Sequence, residues 1–181
     1  FFESPSEEMK HAAAYALGRA SIGAMSVFLP AILTTLEEIS QRKQYLLLSA
    51  LKELMKSINP SDLSAEDVEQ ILPHLLNHCA DAEEGVRTMV AECLGSLTCL
   101  RPQSTLPPLE ALVTEHSGKD GTPYTYMCWT AATSIKFAIA NKVSPDILSP
   151  YFPKFLSLLS SPSLSVQSAA LIMVYSAVHH T

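Results

Sequence analysis

Two stretches far apart in this chain follow one plan. SEEMKHAAAYALGRAS lies near the start and AEEGVRTMVAECLGSL near the middle. Met9-Lys10 in the first matches Val86-Arg87 in the second, and Leu17-Gly18 matches Leu94-Gly95, seven residues after the basic residue in each case. A second pattern, apolar residues on both sides of a proline, occurs at Phe28-Leu29-Pro30, Ile71-Leu72-Pro73 and Tyr151-Phe152-Pro153, with a weaker copy at Leu106-Pro107-Pro108-Leu109. Thirteen residues separate Pro30 from Lys43, Pro73 from Val86 and Pro153 from Val166. The Pro107 unit carries seven more, which fit the turn-rich stretch SGKDGTP. The opening pattern, that of the second helix in each unit, is thus anchored at Met9, Lys43, Val86, Met127 and Val166, with spacings of 34, 43, 41 and 39 residues. A period near forty built from two helices specifies stacked helical hairpins. In such a stack, function lies in a surface.

The predicted architecture is all-α: a right-handed α-α superhelix of about four and a half hairpins. Their bounds are roughly 1–20 (partial), 25–57, 65–100, 102–142 and 144–181. Apolar stripes at helical spacing support it. Phe28, Ile32, Leu36 and Ile39 share one face; so do Ile71, Leu75 and Cys79, and so do Leu148, Phe152, Phe155 and Leu159. The second helices carry Ala, Leu and Gly on their inner faces, which lets neighbours approach closely. Ser4-Pro5-Ser6-Glu7 predicts a capped helix start, and Ser144-Pro145, Ser149-Pro150 and Ser161-Pro162 repeat the Ser-Pro signal. Ser64 with Asp67, and Asp81 with Glu84, suggest looser capping boxes. For Pro30, Pro73 and Pro153 two readings stay open. They kink helix interiors, at roughly 3 kcal/mol each, or they sit in first turns where they cost little.

Composition narrows the function. The 181 residues, 48% hydrophobic, suffice for a substantial core. The net charge of −6 and the absence of any basic run longer than Arg42-Lys43 argue against nucleic-acid binding. No apolar run is long enough to span a membrane. Cys79, Cys93, Cys99 and Cys128 are scattered without a Cys-x-x-Cys pair, which points to a reducing compartment. The chain opens on Phe1-Phe2, in mid-pattern, and reads as a piece of a longer protein.

Signals for chemistry are weak. His74 and His78 stand four apart on one helix face with Cys79 beside them, a spacing that zinc can use, but no further ligand falls at a telling distance. Cys93 aligns with Ala16 in the repeat and reads as packing. Cys99 and Cys128 lack an activating histidine nearby in sequence, and His179-His180 read as solvated. There is no glycine-rich phosphate loop, nucleophile elbow or paired-carboxylate motif. Neither catalysis nor a cofactor, nor binding of a small molecule, is expected. Trp129, the only tryptophan, reads as core packing or as a partner anchor. The charged positions of the second helices, Lys10, Lys43, Lys52, Glu53, Glu84 and Arg87, are expected to face a groove lined by those helices. The alternative is a solvated face with salt bridges worth about 0–1 kcal/mol each.

Pro-x12-Val-Arg followed by Val-Ala-x-Cys-Leu-Gly resembles a HEAT repeat. SPSEEMKHAAAYALG, RKQYLLLSALKE, HCADAEEGVRTMVAECLGSLT and SIKFAI resemble, in this order, the C-terminal half of the cullin-associated, neddylation-dissociated proteins. That resemblance implies a cytoplasmic and nuclear, non-catalytic solenoid segment. Its partner would be a cullin–RING scaffold not carrying the ubiquitin-like modifier, where the family competes with adaptor–receptor modules. Other HEAT carriers, such as nuclear transport receptors or phosphatase scaffolds, offer the same curve to other clients. Solenoid units bury apolar faces against neighbours, so the AAAYALG helix is expected to be frayed or covered by another molecule.

Overall fold

A computed structural model of the chain describes residues 6–38 and 41–180, with the side chains of residues 41–43 and 180 outside the described set. Ser4, Pro5, Ile39 and the side chains of Lys43 and His180 therefore lie outside the described residues. Within them the chain is helical and holds no strand. The elements are α1 (Glu7–Gly23), α2 (Met25–Glu38), α3 (Gln41–Ser57), α4 (Ala65–Asn77), α5 (Glu84–Leu100), α6 (Pro102–His116), α7 (Thr122–Ala140), α8 (Pro145–Leu148), α9 (Phe152–Leu156) and α10 (Leu164–His180). Short 3₁₀ turns occupy Pro60–Asp62 and Ser157–Ser160.

The second helices form a row: α1 packs on α3, α3 on α5, α5 on α7 and α7 on α10. The first helices brace this row, α2 against α3, α4 against α5 and α6 against both α5 and α7. Two glycines explain how the row closes. A Cβ on Gly95 would sit 2.6 Å from Phe137 Cβ and 2.9 Å from the Ser134 carbonyl oxygen. A Cβ on Gly18 would collide with the Ala50 carbonyl oxygen and lie 2.8 Å from Glu53 Cβ. The Leu-Gly of the repeated motif is thus where one backbone touches the next. Ala50, Ala131, Ala138 and Ala170 are fully buried and continue the close contact. Polar ties cross between units as well: Thr130 Oγ1 donates to the Cys79 carbonyl at 2.8 Å, and Arg101 donates to the Leu63 carbonyl.

The expected stripes bury largely as read. Ile32, Leu36, Ile71, Leu75 and Cys79 are buried, and Phe28 is half-buried. The last outer stripe departs by one residue: Leu158 is buried while Leu159 is 36% exposed. The segment expected to be one helix is broken into α8, α9 and a 3₁₀ turn. Three residues per 3₁₀ turn bring Leu158, and not Leu159, beneath Phe155.

The proline question resolves differently from unit to unit. Pro30 and Pro73 lie inside α2 and α4, and Pro107 and Pro108 inside α6, whereas Pro153 is in the first turn of α9. Pro30 cannot bond the Ser26 carbonyl, nor Pro73 that of Glu69. Both prolines and both carbonyl-bearing residues are exposed, so the gaps in the bonding face solvent.

Helix starts are partly as expected. Ser6 caps α1 and accepts from Met9 N–H. Ser64 and Asp67 form a full reciprocal box, with bonds of 3.0 and 2.9 Å. Asp81 does not box with Glu84. Its Oδ1 accepts from Glu83 N–H at 2.9 Å, and Glu83 is the cap residue of α5.

α1 is an unbroken helix whose Met9, Ala12, Ala13, Ala16 and Ala20 line an open apolar groove of about 460 Å³. The matching residues of α5, Met89, Val90, Cys93 and Leu97, are buried in the row.

Candidate partner-binding surface

Five of the six sequence-predicted residues fall into three environments: exposed, half-buried and buried. Glu84 lies on the open surface at the start of α5, and Lys10, near the start of α1, is half-buried. Lys10 Nζ pairs with Glu7 at 2.7 Å, and Glu84 is exposed in the first turn of α5, where the helix dipole favours an anion. Lys52 and Glu53 are half-buried along the row. Lys52 Nζ bridges to Glu92 of α5 at 2.8 Å, and Glu53 accepts from the Ser57 hydroxyl at 3.0 Å while its Cβ packs beside Gly18. The side chain of Lys43 is outside the described residues.

Arg87 corrects the expectation of a groove-facing charge. It is only 7% exposed. One guanidinium nitrogen donates to the Asp81 and Ala82 carbonyls at 2.6 and 2.9 Å, closing the turn before α5. Its carbon lies 3.7 Å from the centre of the Tyr126 ring and 5.6 Å from that of Trp129, both on α7. A planar cation among aromatic faces is a packing element as much as a charge. Arg87 therefore positions the next unit and the wall of the surface beside it.

That wall belongs to a groove across α5, α7 and α10 that the sequence did not reveal. Thr88, Trp129, Thr133, Lys136, Phe137, Ser168 and Ile172 line about 320 Å³. Trp129 and Phe137 are half-buried and Ile172 is 54% exposed, so packing holds the aromatics while a face stays open. This combines both readings of Trp129. Lys136 is half-buried with its ammonium 3.5 Å from the centre of the Phe137 ring. Burial pulls its pKa below the ordinary lysine value, and the Glu92 carboxylate opposes that shift. Lys52, Glu92 and Lys136 thus make a line of charge across three second helices.

Comparison with known proteins now separates one HEAT protein from another. The HEAT repeat family model matches residues 71–98, the α4–α5 unit. Cullin-associated NEDD8-dissociated protein 1 of Arabidopsis thaliana is 36% identical over 183 residues, covering 99% of this chain and 14% of that protein. Cullin-associated NEDD8-dissociated protein 2 of Mus musculus is 38% identical over 180 residues, covering 98% of this chain and 14% of that protein. The C-terminal part of the Emericella nidulans protein 1 is 30% identical over 189 residues, covering 99% of this chain and 17% of that protein. The chain is a HEAT-repeat homologue of the cullin-associated NEDD8-dissociated proteins. It spans about one seventh of the length of these relatives.

The remaining chemical candidates of this homologue are placed as follows. His74 Nδ1 lies 2.6 Å from Glu37 of α2, so it joins two neighbouring first helices. His78 Nδ1 lies 3.7 Å from Asp81, and the Cys79 thiol points to the Leu75 carbonyl. Among the described residues no three His, Cys, Asp or Glu side chains converge as a metal site. No helix among them is long and apolar enough to cross a membrane. The Cys93 thiol donates to the Leu48 carbonyl of α3 at 3.4 Å, and the Cys99 thiol to the Ala138 carbonyl of α7 at 3.3 Å. Both pack between second helices.

Burial drives the thiols out of the reactive range. Cys79 is pushed up from 9.0 to about 12, Cys93 further, and Cys99 to about 11 despite an opposing hydrogen bond from the Val143 backbone. Each therefore holds its proton more tightly folded than unfolded. The stability this contributes is complete below pH 9.0 and declines as pH climbs towards about 12. Urea midpoints should accordingly fall between about pH 9 and 11, less steeply for Cys79→Ala. In native protein at pH 8, Cys79 and Cys93 should label with a thiol reagent at least ~100-fold more slowly than in urea. Equal labelling rates in the two conditions would refute the buried assignment.

Proposed function

We propose that this chain is a non-catalytic, cullin-binding segment of an exchange factor for cullin–RING ubiquitin ligases. In this reading its partner is an unmodified cullin–RING scaffold, and binding competes with adaptor–receptor modules. It uses no cofactor, nucleic acid, membrane or small molecule, and it works in the cytoplasm and nucleus. The observation that carries the reading is identity over nearly the whole chain with proteins named as cullin-associated. The fold supports it, because a row of second helices presents one continuous surface. Lys10, Lys43, Lys52, Glu53 and Glu84 are the proposed contact residues, and Arg87 sets the position of the surface beside them.

Wrapping interfaces distribute their energy over many units, so one segment alone binds weakly. The test is retention of an unmodified cullin–RING complex by a longer chain containing this segment, beside the same complex carrying the modifier. Retention of the first and at least ~10-fold weaker retention of the second is the expected result. Equal retention would remove the preference for the unmodified scaffold. No retention of either would favour another class of HEAT carrier.

A further inference from the structure

The second-helix row of this acidic chain carries a local excess of positive charge beside its aromatic groove. Glu92 is bridged by Lys52, feels Lys136, and shares the neighbourhood of Cys93 with Lys56. Two lysines therefore act on one carboxylate in a chain that has 12 basic and 18 acidic residues. Lys52 pairs with Glu92, leaving Lys136 as the surplus charge at the groove itself. Next to Lys136 the groove offers Trp129, Phe137 and Ile172 as apolar walls and Thr88, Thr133 and Ser168 as hydroxyls.

We infer that this groove takes an acidic segment of a protein partner. An apolar side chain of that segment seats between Trp129 and Ile172, and a carboxylate pairs with Lys136. The inference rests on the partner-binding reading above and names the chemistry of the partner at one place on it. An apolar anchor in a half-desolvated pocket supplies affinity, and a charge at its edge supplies orientation and rate. Lys136 is suited to this role. Its stem packs in the groove and its ammonium is already partly stripped of water, so an incoming carboxylate recovers solvation that burial removed. A phosphodiester backbone would also neutralise the lysines, but it has no apolar side chain for the Trp129–Ile172 slot.

The single tryptophan of the chain lies in the groove, so its indole N–H resonance reports occupancy directly. The probe is a synthetic helical peptide with Glu on one face and Leu at every third or fourth position on the other. A peptide with Gln replacing every Glu and a single-stranded DNA oligonucleotide are the comparisons. The acidic peptide should shift the Trp129 signal in a saturable way, and the Gln peptide should bind at least ~10-fold more weakly. Lys136→Glu should weaken the acidic peptide at least ~10-fold. Ile172→Asp, at an exposed position that does not threaten folding, should do the same. Lys119→Glu, the same charge change on the distant α6–α7 loop, should stay within about twofold.

No shift of Trp129, equal loss in Lys119→Glu and Lys136→Glu, or saturation by the oligonucleotide alone would each overturn the inference. The cullin assay separates the two readings. If a wild-type longer chain fails to retain the cullin–RING complex while the acidic peptide still occupies the groove, the cullin assignment fails and the groove stands. If the complex is retained equally by wild type and Lys136→Glu and the peptide shifts nothing, the groove fails and the cullin assignment stands.

Discussion

Gly95→Ala should melt roughly 2–8 °C below the parent protein, because the added methyl group lands against the backbone of the next helix. The new Cβ would meet Phe137 Cβ at 2.6 Å, the Ser134 carbonyl oxygen at 2.9 Å and the Ala138 nitrogen at 3.0 Å. Two of these are backbone atoms of α7, and the third is anchored directly to that backbone. Relief therefore requires α5 and α7 to separate along the row. Overpacking of this kind costs about 2–3 kcal/mol, and each kcal/mol moves the melting point of a domain this size by roughly 2–4 °C. Better helix propensity of alanine returns only about 1 kcal/mol. Gly85→Ala supplies the contrast. A Cβ there has nothing within 4 Å, so the propensity gain stands alone and melting should hold or rise slightly. Thermal unfolding of the two variants side by side decides the matter. Equal melting points would mean that α5 and α7 are not in backbone contact at Gly95.

Arg87→Ala should be comparably damaging, at about 3–4 kcal/mol. It removes two charge-assisted bonds to the Asp81 and Ala82 carbonyls and the stacking on Tyr126. Arg87→Met keeps the bulk of the stem and loses the charge, so it should fall between parent and Ala. Arg87→Lys should recover less than half of the loss, because an ammonium cannot reach both carbonyls while lying flat on the ring. The predicted damage is not confined to the turn. Trp129 loses a neighbouring cation, and its fluorescence maximum should move in Arg87→Ala under conditions where the protein is still folded. An unmoved Trp129 spectrum, or a loss below about 1 kcal/mol by urea titration, would return Arg87 to the role of a surface charge.

Arg87 also shows where sequence reasoning runs out. Arginine in the first turn of an amphipathic helix is read as solvent-facing, because isolated charges are costly to bury. Here two backbone carbonyls and two aromatic rings make burial tolerable, and they come from residues 5 and 6 positions before it and about 40 after. A usable signal was present. Tyr126 and Trp129 stand one period on from Gly85 and Thr88, next to the basic residue of the motif. The apolar skeleton was legible because each helix repeats its stripe locally and Pro-to-anchor spacing repeats globally. Helix starts were less so. Whether Pro73 is interior or in the first turn depends on where Ser64 caps α4, and that lies nine residues upstream.

The groove was hidden for a related reason. Its residues are remote in sequence but share phases of the repeat. Thr88, Trp129 and Ser168 occupy one phase, Thr133 and Ile172 a second that holds Glu92 in α5, and Lys136 the phase that holds Gly18, Lys52 and Gly95 elsewhere. Apolar positions announce a phase by their type. Polar ones announce it only when the repeats are laid side by side, and the substitutions between units at those phases are what make each section of the surface different.

The interior prolines give the two layers of helices unequal mechanical character. The row from α1 to α10 is zipped backbone to backbone at Gly18 and Gly95, so it resists shear. The opposite layer has already given up hydrogen bonds at Pro30, Pro73, Pro107 and Pro108, and its last member is in pieces. Such a strip is stiff along one edge and compliant along the other. It can open or tighten its arc by small adjustments in the soft layer without disturbing the face that meets a client, as a hinge-backed clasp changes span while its jaws keep their shape.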